Sequence, residues 1–304
     1  MELVGSVFDE LVAGFLAAIA AGGTTLSRYS VGLLSVLFVI TYMREYGLRL
    51  VTGVGSLSDA LGTPLLYVIM VGGYLYVLVN LVAMTTAALD TAIQWGIEMS
   101  GGGISADLVR KPSFIVQVGL DLAKPIAQFD TVWNAIKSTI GLAAHPQNLL
   151  VFWAILLSFM ASAIHFGMTV IEFTLSVSLS YVLLPWGMWV PARSLGEFAV
   201  GWVLGGLVRV LVSCSIIGIS VPLFPKLFVE PQGMLDIGNV ILRILGALFF
   251  GALALAVPGK VANWASRAGL ALTGSTVLSG AMTFTRFAMI GHTTVRGFSY
   301  LVGR

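Results

Sequence analysis

The sequence predicts an all-α polytopic membrane protein with about five transmembrane helices. An N-terminal amphipathic helix and a re-entrant or interfacial helix complete the expectation. Composition points there first: of 304 residues, 58% are hydrophobic and only 10% are charged, whereas soluble domains carry about 25% charged residues. Mean hydropathy is +0.97. Second, several stretches longer than 18 residues lack any Asp, Glu, Lys or Arg, enough to cross a hydrocarbon core. Third, the basic residues cluster: from Ile237 to Arg304 there is no acidic residue, while Arg243, Lys260, Arg267, Arg286, Arg296 and Arg304 are present.

Residues 1–22 come first. Leu3, Val7, Leu11 and Phe15, with Phe8, Val12, Leu16 and Ile19, form the i, i+4, i+8 stripe of an amphipathic helix. Such a helix lies in an interface or packs on a partner. The GGTT run at 22–25 is expected to end it. Spans are then expected near 29–43, 63–89, 149–171, 198–224 and 237–258. Asp90 closes the second, and residues 90–147 form a long loop with nearly balanced charge. Phe173–Pro191 is long enough to cross, but Glu172 interrupts the apolar run before it, so a re-entrant or interfacial helix broken at Pro185 is expected. Residues 259–304 form a basic tail. By the positive-inside rule that tail is cytoplasmic, and five crossings place the N-terminus and the 90–147 loop outside.

Catalytic and cofactor chemistry finds no footing. The sequence holds no GxxxxGK[ST], GxSxG or HExxH pattern. Its lone cysteine, Cys214, excludes an internal disulfide and a multi-cysteine metal site. The expectation is a non-enzyme with no cofactor and no metal.

The informative residues are charges placed where charge is costly. Glu172 lies at the seam of two apolar runs, Arg209 about twelve residues into a span, and Arg243 a turn or two inside the last one. Each costs roughly 2.5–3.5 kcal/mol at the centre of a membrane helix on insertion scales. Together they form a candidate intramembrane polar seam. Arg209 could line a lumen, touch an anionic substrate or pair with Glu172, and it could equally be structural glue. Snorkelling suits Arg243. Gly201 and Gly205, with Gly206, form a GxxxG pattern that permits close helix approach. Trp186, Trp189 and Trp202 suit an interfacial aromatic belt.

Four stretches in this order resemble the TrbL family, the polytopic inner-membrane component of conjugative and other type IV secretion machines. They are FDE at 8–10, RKPSFIVQVGLDLAKPI at 110–126, TVIEFTLSVSLSYVLLPWGMW at 169–189 and LGEFAVGWVLGGLVRVLVSCSIIGI at 195–219. Pro112, Gly119, Pro125, Pro185, Trp186 and Gly187 are the motif positions. The resemblance implies a multi-pass bacterial inner-membrane protein, non-enzymatic and homo-oligomeric, with a ring as one arrangement. Its implied partners are secretion ATPases, core-complex and minor pilus proteins, with transient contact to DNA or protein substrate. The implied task is pilus assembly and translocation across the inner membrane. A secondary transporter of a small solute is the alternative, but no convincing internal repeat supports it.

Overall fold

A computed structural model describes residues 2–47, 57–101, 104–127, 146–228 and 237–272. Helix α1 runs Glu2–Tyr42 and passes into a π-helical turn, Met43–Gly47. Then come α2 (Leu57–Met99), the short α3 (Ala106–Val109), α4 (Pro112–Ala127) and α5 (Pro146–Leu183). Two 3-10 turns, Leu184–Met188 and Val190–Ala192, lead into α6 (Arg193–Phe228), and α7 spans Ile237–Leu272. No strand occurs among the described residues. Five helices contain segments long and apolar enough to cross a membrane: Asp9–Tyr42, Val68–Met99, Leu149–Met188, Arg193–Phe224 and Ile241–Arg267. The chain is an all-α multi-pass membrane protein.

Several expected boundaries are absent. The GGTT run does not break α1, which continues through it. In an apolar medium every backbone group must be satisfied within its own helix, so breaking is costlier than in water. Thr24 and Ser27 return their hydroxyls to the carbonyls of Ala21 and Thr24, each at 2.8 Å. Gly23 instead becomes a contact point, where an added Cβ would sit 3.5 Å from Ser178 Oγ. Asp90 does not close α2, which runs on to Met99; its carboxylate accepts a hydrogen bond from Arg110 Nη2 at 2.7 Å. Glu172 does not separate two helices either. Helix α5 continues through it to Leu183, and the chain breaks at Pro185 as a 3-10 turn. Phe173–Leu183 is therefore the end of the third span, not a separate re-entrant helix. The start of the expected tail is helical, as α7 reaches Leu272. Residues 128–145 of the long loop and 273–304 of the tail lie outside the described residues.

Pairwise contacts set the helix directions. Ser30 Oγ donates to the Tyr181 carbonyl and Thr41 Oγ1 to that of Met188, so α1 runs parallel to α5. Gly251 meets Ser158 while Ala262 and Thr169 line one pocket, so α7 is parallel to α5 as well. Phe159 packs on Phe224 while Phe173 packs on Gly206, which makes α6 antiparallel to α5. Gly96 against Cys214 and Ser100 against Gly218 align α2 with α6. Three helices thus point one way and two the other, as five successive crossings require.

Helix α5 is central. Phe152, Ile155, Phe159, Ala163 and Phe166 are buried along one face, at the i+3/i+4 spacing of an inward stripe. Phe159, Phe224 and Phe250 form a ring cluster with centroids 4.7–5.3 Å apart. Glycines admit the tightest approaches, as expected where helices associate through close van der Waals contact. A Cβ on Gly119 would overlap Phe159, and one on Gly196 would lie 2.6 Å from Gly187 Cα. Gly196→Ala should therefore cost about 1–3 kcal/mol through overpacking. Gly72, with nothing within 4 Å of an added Cβ, should tolerate alanine or gain up to about 1 kcal/mol. Thermal unfolding of the two variants in detergent compares them directly.

Candidate functional site

Two of the three expected seam residues come together. Arg209 on α6 donates from Nη1 to Glu172 Oε2 on α5, forming an ion pair. The Arg209 side chain is 26% exposed and that of Glu172 59%, so the pair sits at the edge of the bundle with its acidic partner outermost. Arg243 is not part of it. It is buried near the start of α7, about 30 Å of helix from the Asn263–Ser266 turn that flanks the pair. That burial also corrects the expectation that Arg243 snorkels outward.

The pair lines a pocket of about 100 Å³ between α5, α6 and α7. Helix α5 contributes Thr169, Glu172, Phe173 and Ser176. From α6 come Trp202, Gly205, Gly206 and Arg209, and from α7 Ala262, Asn263 and Ser266. The glycines make the room. A Cβ on Gly205 would sit 3.1 Å from Ser266 Cβ, and one on Gly206 would sit 3.0 Å from Phe173 Cδ2. Gly201, one turn away on the same helix, is buried.

Below the pocket the α5–α6 interface is polar and incompletely satisfied. His165 Nε2, Arg209 Nε and Ser213 Oγ are buried with no hydrogen-bond partner among the described residues. Water bridges orphan groups of this kind in wet cavities. Ser162, Thr169, Ser176 and Ser180 are buried too, but each turns its hydroxyl back to a carbonyl of its own helix at 2.7–2.8 Å. Among the described residues no three His, Cys, Asp or Glu side chains form a metal-ligand group. Among the described residues that line the pocket, the ionisable side chains are Glu172 and Arg209.

A second polar clamp ties the N-terminus to α4. Asp9 accepts from Ser113 N at 3.1 Å and from Ser113 Oγ at 2.5 Å. A carboxylate at a helix N-terminus satisfies an orphan N–H and complements the helix dipole. Pro112, whose missing N–H costs nothing there, is the first residue of α4. The four motif stretches are thus joined in pairs, the first to the second by Asp9–Ser113 and the third to the fourth by Glu172–Arg209. Among the other motif positions, Gly119 packs on Phe159, Pro125 lies within α4, and Pro185, Trp186 and Gly187 form the 3-10 turn. Trp186 pairs with Trp189 at 5.8 Å, while Trp202 stacks near Phe198 at 5.9 Å beside the pocket.

Sequence reasoning missed Asn263 and Ser266, which it assigned to a tail beyond the last span. It also missed Tyr74, whose hydroxyl lies 2.6 Å from where a Gly187 Cβ would be. Spacing along one chain could not have found them, because their contacts come from other helices.

The Glu172–Arg209 pair is partly exposed, so its coupling should be modest. A double-mutant cycle with Glu172→Gln and Arg209→Gln should return about 1 kcal/mol of interaction energy, read from unfolding in detergent. Strict additivity would show that the pair does not form.

No curated protein matches the chain. The family model described as TrbL/VirB6 plasmid conjugal transfer protein matches residues 36–258, a range that holds Glu172, Arg209, the motif stretches from 110 onward and most of α7.

Proposed function

The chain belongs to the TrbL/VirB6 plasmid conjugal transfer family, and from that premise we propose that it is a non-enzymatic channel or assembly subunit of a type IV secretion machine. Membership gives it a role in conjugal transfer as a multi-pass membrane component that works with other transfer proteins. The finer reading is ours. The protein sits in the bacterial inner membrane with its N-terminus periplasmic and its basic C-terminal end cytoplasmic, in line with the positive-inside rule. It supports pilus biogenesis and the passage of DNA or protein, and partner ATPases supply the energy. It assembles with those ATPases, with core-complex and minor pilus proteins, and with copies of itself in a ring.

One observation carries this reading. A cross-helix ion pair stands between the two longest motif stretches, beside a polar pocket and above a layer of unsatisfied polar atoms. Such charges in membrane helices face polar interiors and mark working pathways far more often than they decorate lipid-facing surfaces. Co-purification from mildly cross-linked membranes tests the assembly. Secretion ATPases and pilus subunits should be recovered in a complex far above 32.2 kDa. A lone monomer from cells holding the whole transfer gene set would favour a solute transporter instead.

For the seam itself, Arg209→Leu should insert at normal levels yet lower transfer frequency by about tenfold or more, the equivalent of about 1.4 kcal/mol in a limiting step. Mating assays scored against membrane abundance check this. Undiminished transfer would remove Arg209 from the working parts.

A further inference from the structure

Helix α6 carries α7 and α2 on opposite faces. Its Gly205 receives the Ala262–Ser266 turn of α7, and its Cys214 meets Gly96 of α2. Gly205 and Cys214 are separated by about two and a half turns of helix, so they point to opposite sides. The outward flanks of α7 and α2 therefore look away from each other across the bundle. The contacts also fix their heights. Phe250 on Phe224 and Ser266 on Gly205 set Lys260 near the level of Val210. Gly96 on Cys214 and Ser100 on Gly218 set Glu98 near the level of Ile216. These levels are about 9 Å apart, a gap that two long side chains span. Both fall well inside the apolar segment Arg193–Phe224 of α6, not at its ends.

The two flanks carry opposite charge. On α7, Lys260 and Arg267 are exposed on either side of Trp264, itself 73% exposed. Neither cation has an ion-pair partner among the described residues. On the far side, Glu98 of α2 and Asp107 of α3 are exposed among Trp95, Met99 and Leu108. Glu98 accepts a hydrogen bond from Gln94 Nε2 at 2.9 Å, and the nearby Arg110 is committed to Asp90. Glu10 is exposed at the same end, where Asp9 holds Ser113, and the exposed Lys111 offsets only part of this negative charge. Charges this far along apolar helices are costly without a counter-charge. Each flank holds the counter-charge the other lacks, at a similar height, but within one chain the bundle separates them.

We propose that copies of this chain join head to tail, the α7 face of one copy seating against the α2–α3 patch of the next. Lys260 meets Glu98 across this contact, and Trp264 packs among Trp95, Met99 and Leu108. Complementary charge sets the partner's orientation, and exposed Trp and Met beside it match the make-up of protein interfaces. A contact between two different surfaces leaves one of each open on every pair, so it repeats until it closes into a ring. This inference rests on the self-assembly put forward above and names the surfaces that carry it out.

Disulfide trapping in membranes tests it on the full chain. Cys214→Ala removes the native thiol, and Lys260→Cys and Glu98→Cys are then made singly in that background. Co-expressed under mild oxidant, the two single-cysteine chains should cross-link to each other, whereas each expressed alone should give at most a small fraction of that yield. A chain carrying both cysteines should give a ladder of dimers, trimers and higher forms, because the sites lie too far apart to close within one copy. Charge reversal supplies a second readout on the purified oligomer. Lys260→Glu and Glu98→Lys should each weaken association by at least about tenfold, and mixing the two variants should restore it for that pair. Rescue by mixing cannot come from chains that fail to fold. If the wild-type chain is oligomeric yet the two cysteines do not cross-link, or reversal leaves association unchanged, the proposed interface is wrong while self-assembly stands. A wild-type chain that is monomeric in its own membrane would overturn both.

Discussion

The Glu172–Arg209 ion pair marks the register of the two central helices, and the packing around it agrees with that register. A charge in an apolar helix must find a counter-charge, a polar cavity or water. Here each supplies the other. Sliding α6 along α5 by one turn, about 5.4 Å, would separate the groups and leave both uncompensated. With the pair closed, Phe173 falls opposite Gly206 and Phe159 opposite Phe224. Apolar packing alone would specify this less sharply, because lipid tails and leucine side chains are about equally apolar and small slips cost little.

Small residues then admit the other helices. Gly205 receives the Ala262–Ser266 turn of α7, Gly251 receives Ser158, and Gly96 receives Cys214. Gly187 and Gly196 fold the α5–α6 corner so tightly that backbone meets backbone. Asp9 holds the start of α4 against α1, and α4 in turn closes over Phe159 through Gly119. Adding a Cβ to Gly96, Gly119, Gly187 or Gly196 would force the helices that meet there apart.

Much of this was legible in the sequence. Composition and the uncharged stretches point to an all-α bundle with about five spans, and the odd charges Glu172 and Arg209 stand out because each interrupts an apolar run. The misread boundaries share one cause. Gly-Gly, Asp90 and Glu172 were weighed as they would be in water, where each can end a helix at little cost. Within apolar surroundings the helix persists and the interrupting group finds a partner: Gly23 meets Ser178 and Tyr181, Asp90 meets Arg110, and Glu172 meets Arg209. The pocket's third wall was illegible for a different reason. Asn263 and Ser266 sit past Pro258, and a proline inside a span reads as its end. Helix α7 carries Pro258 within it and continues to Leu272.

The role proposed for this conjugal transfer component rests on the Glu172–Arg209 ion pair. The central claim is that Glu172 and Arg209 act as a pair and not as two separate charges. Exchanging them tests it most directly, through mating frequency in cells that carry Glu172→Arg, Arg209→Glu or both. The account predicts that each reversal alone abolishes transfer and that the exchanged pair restores a substantial part of it. Wild-type transfer with either single reversal, or no recovery in the exchanged pair at normal membrane abundance, would contradict it.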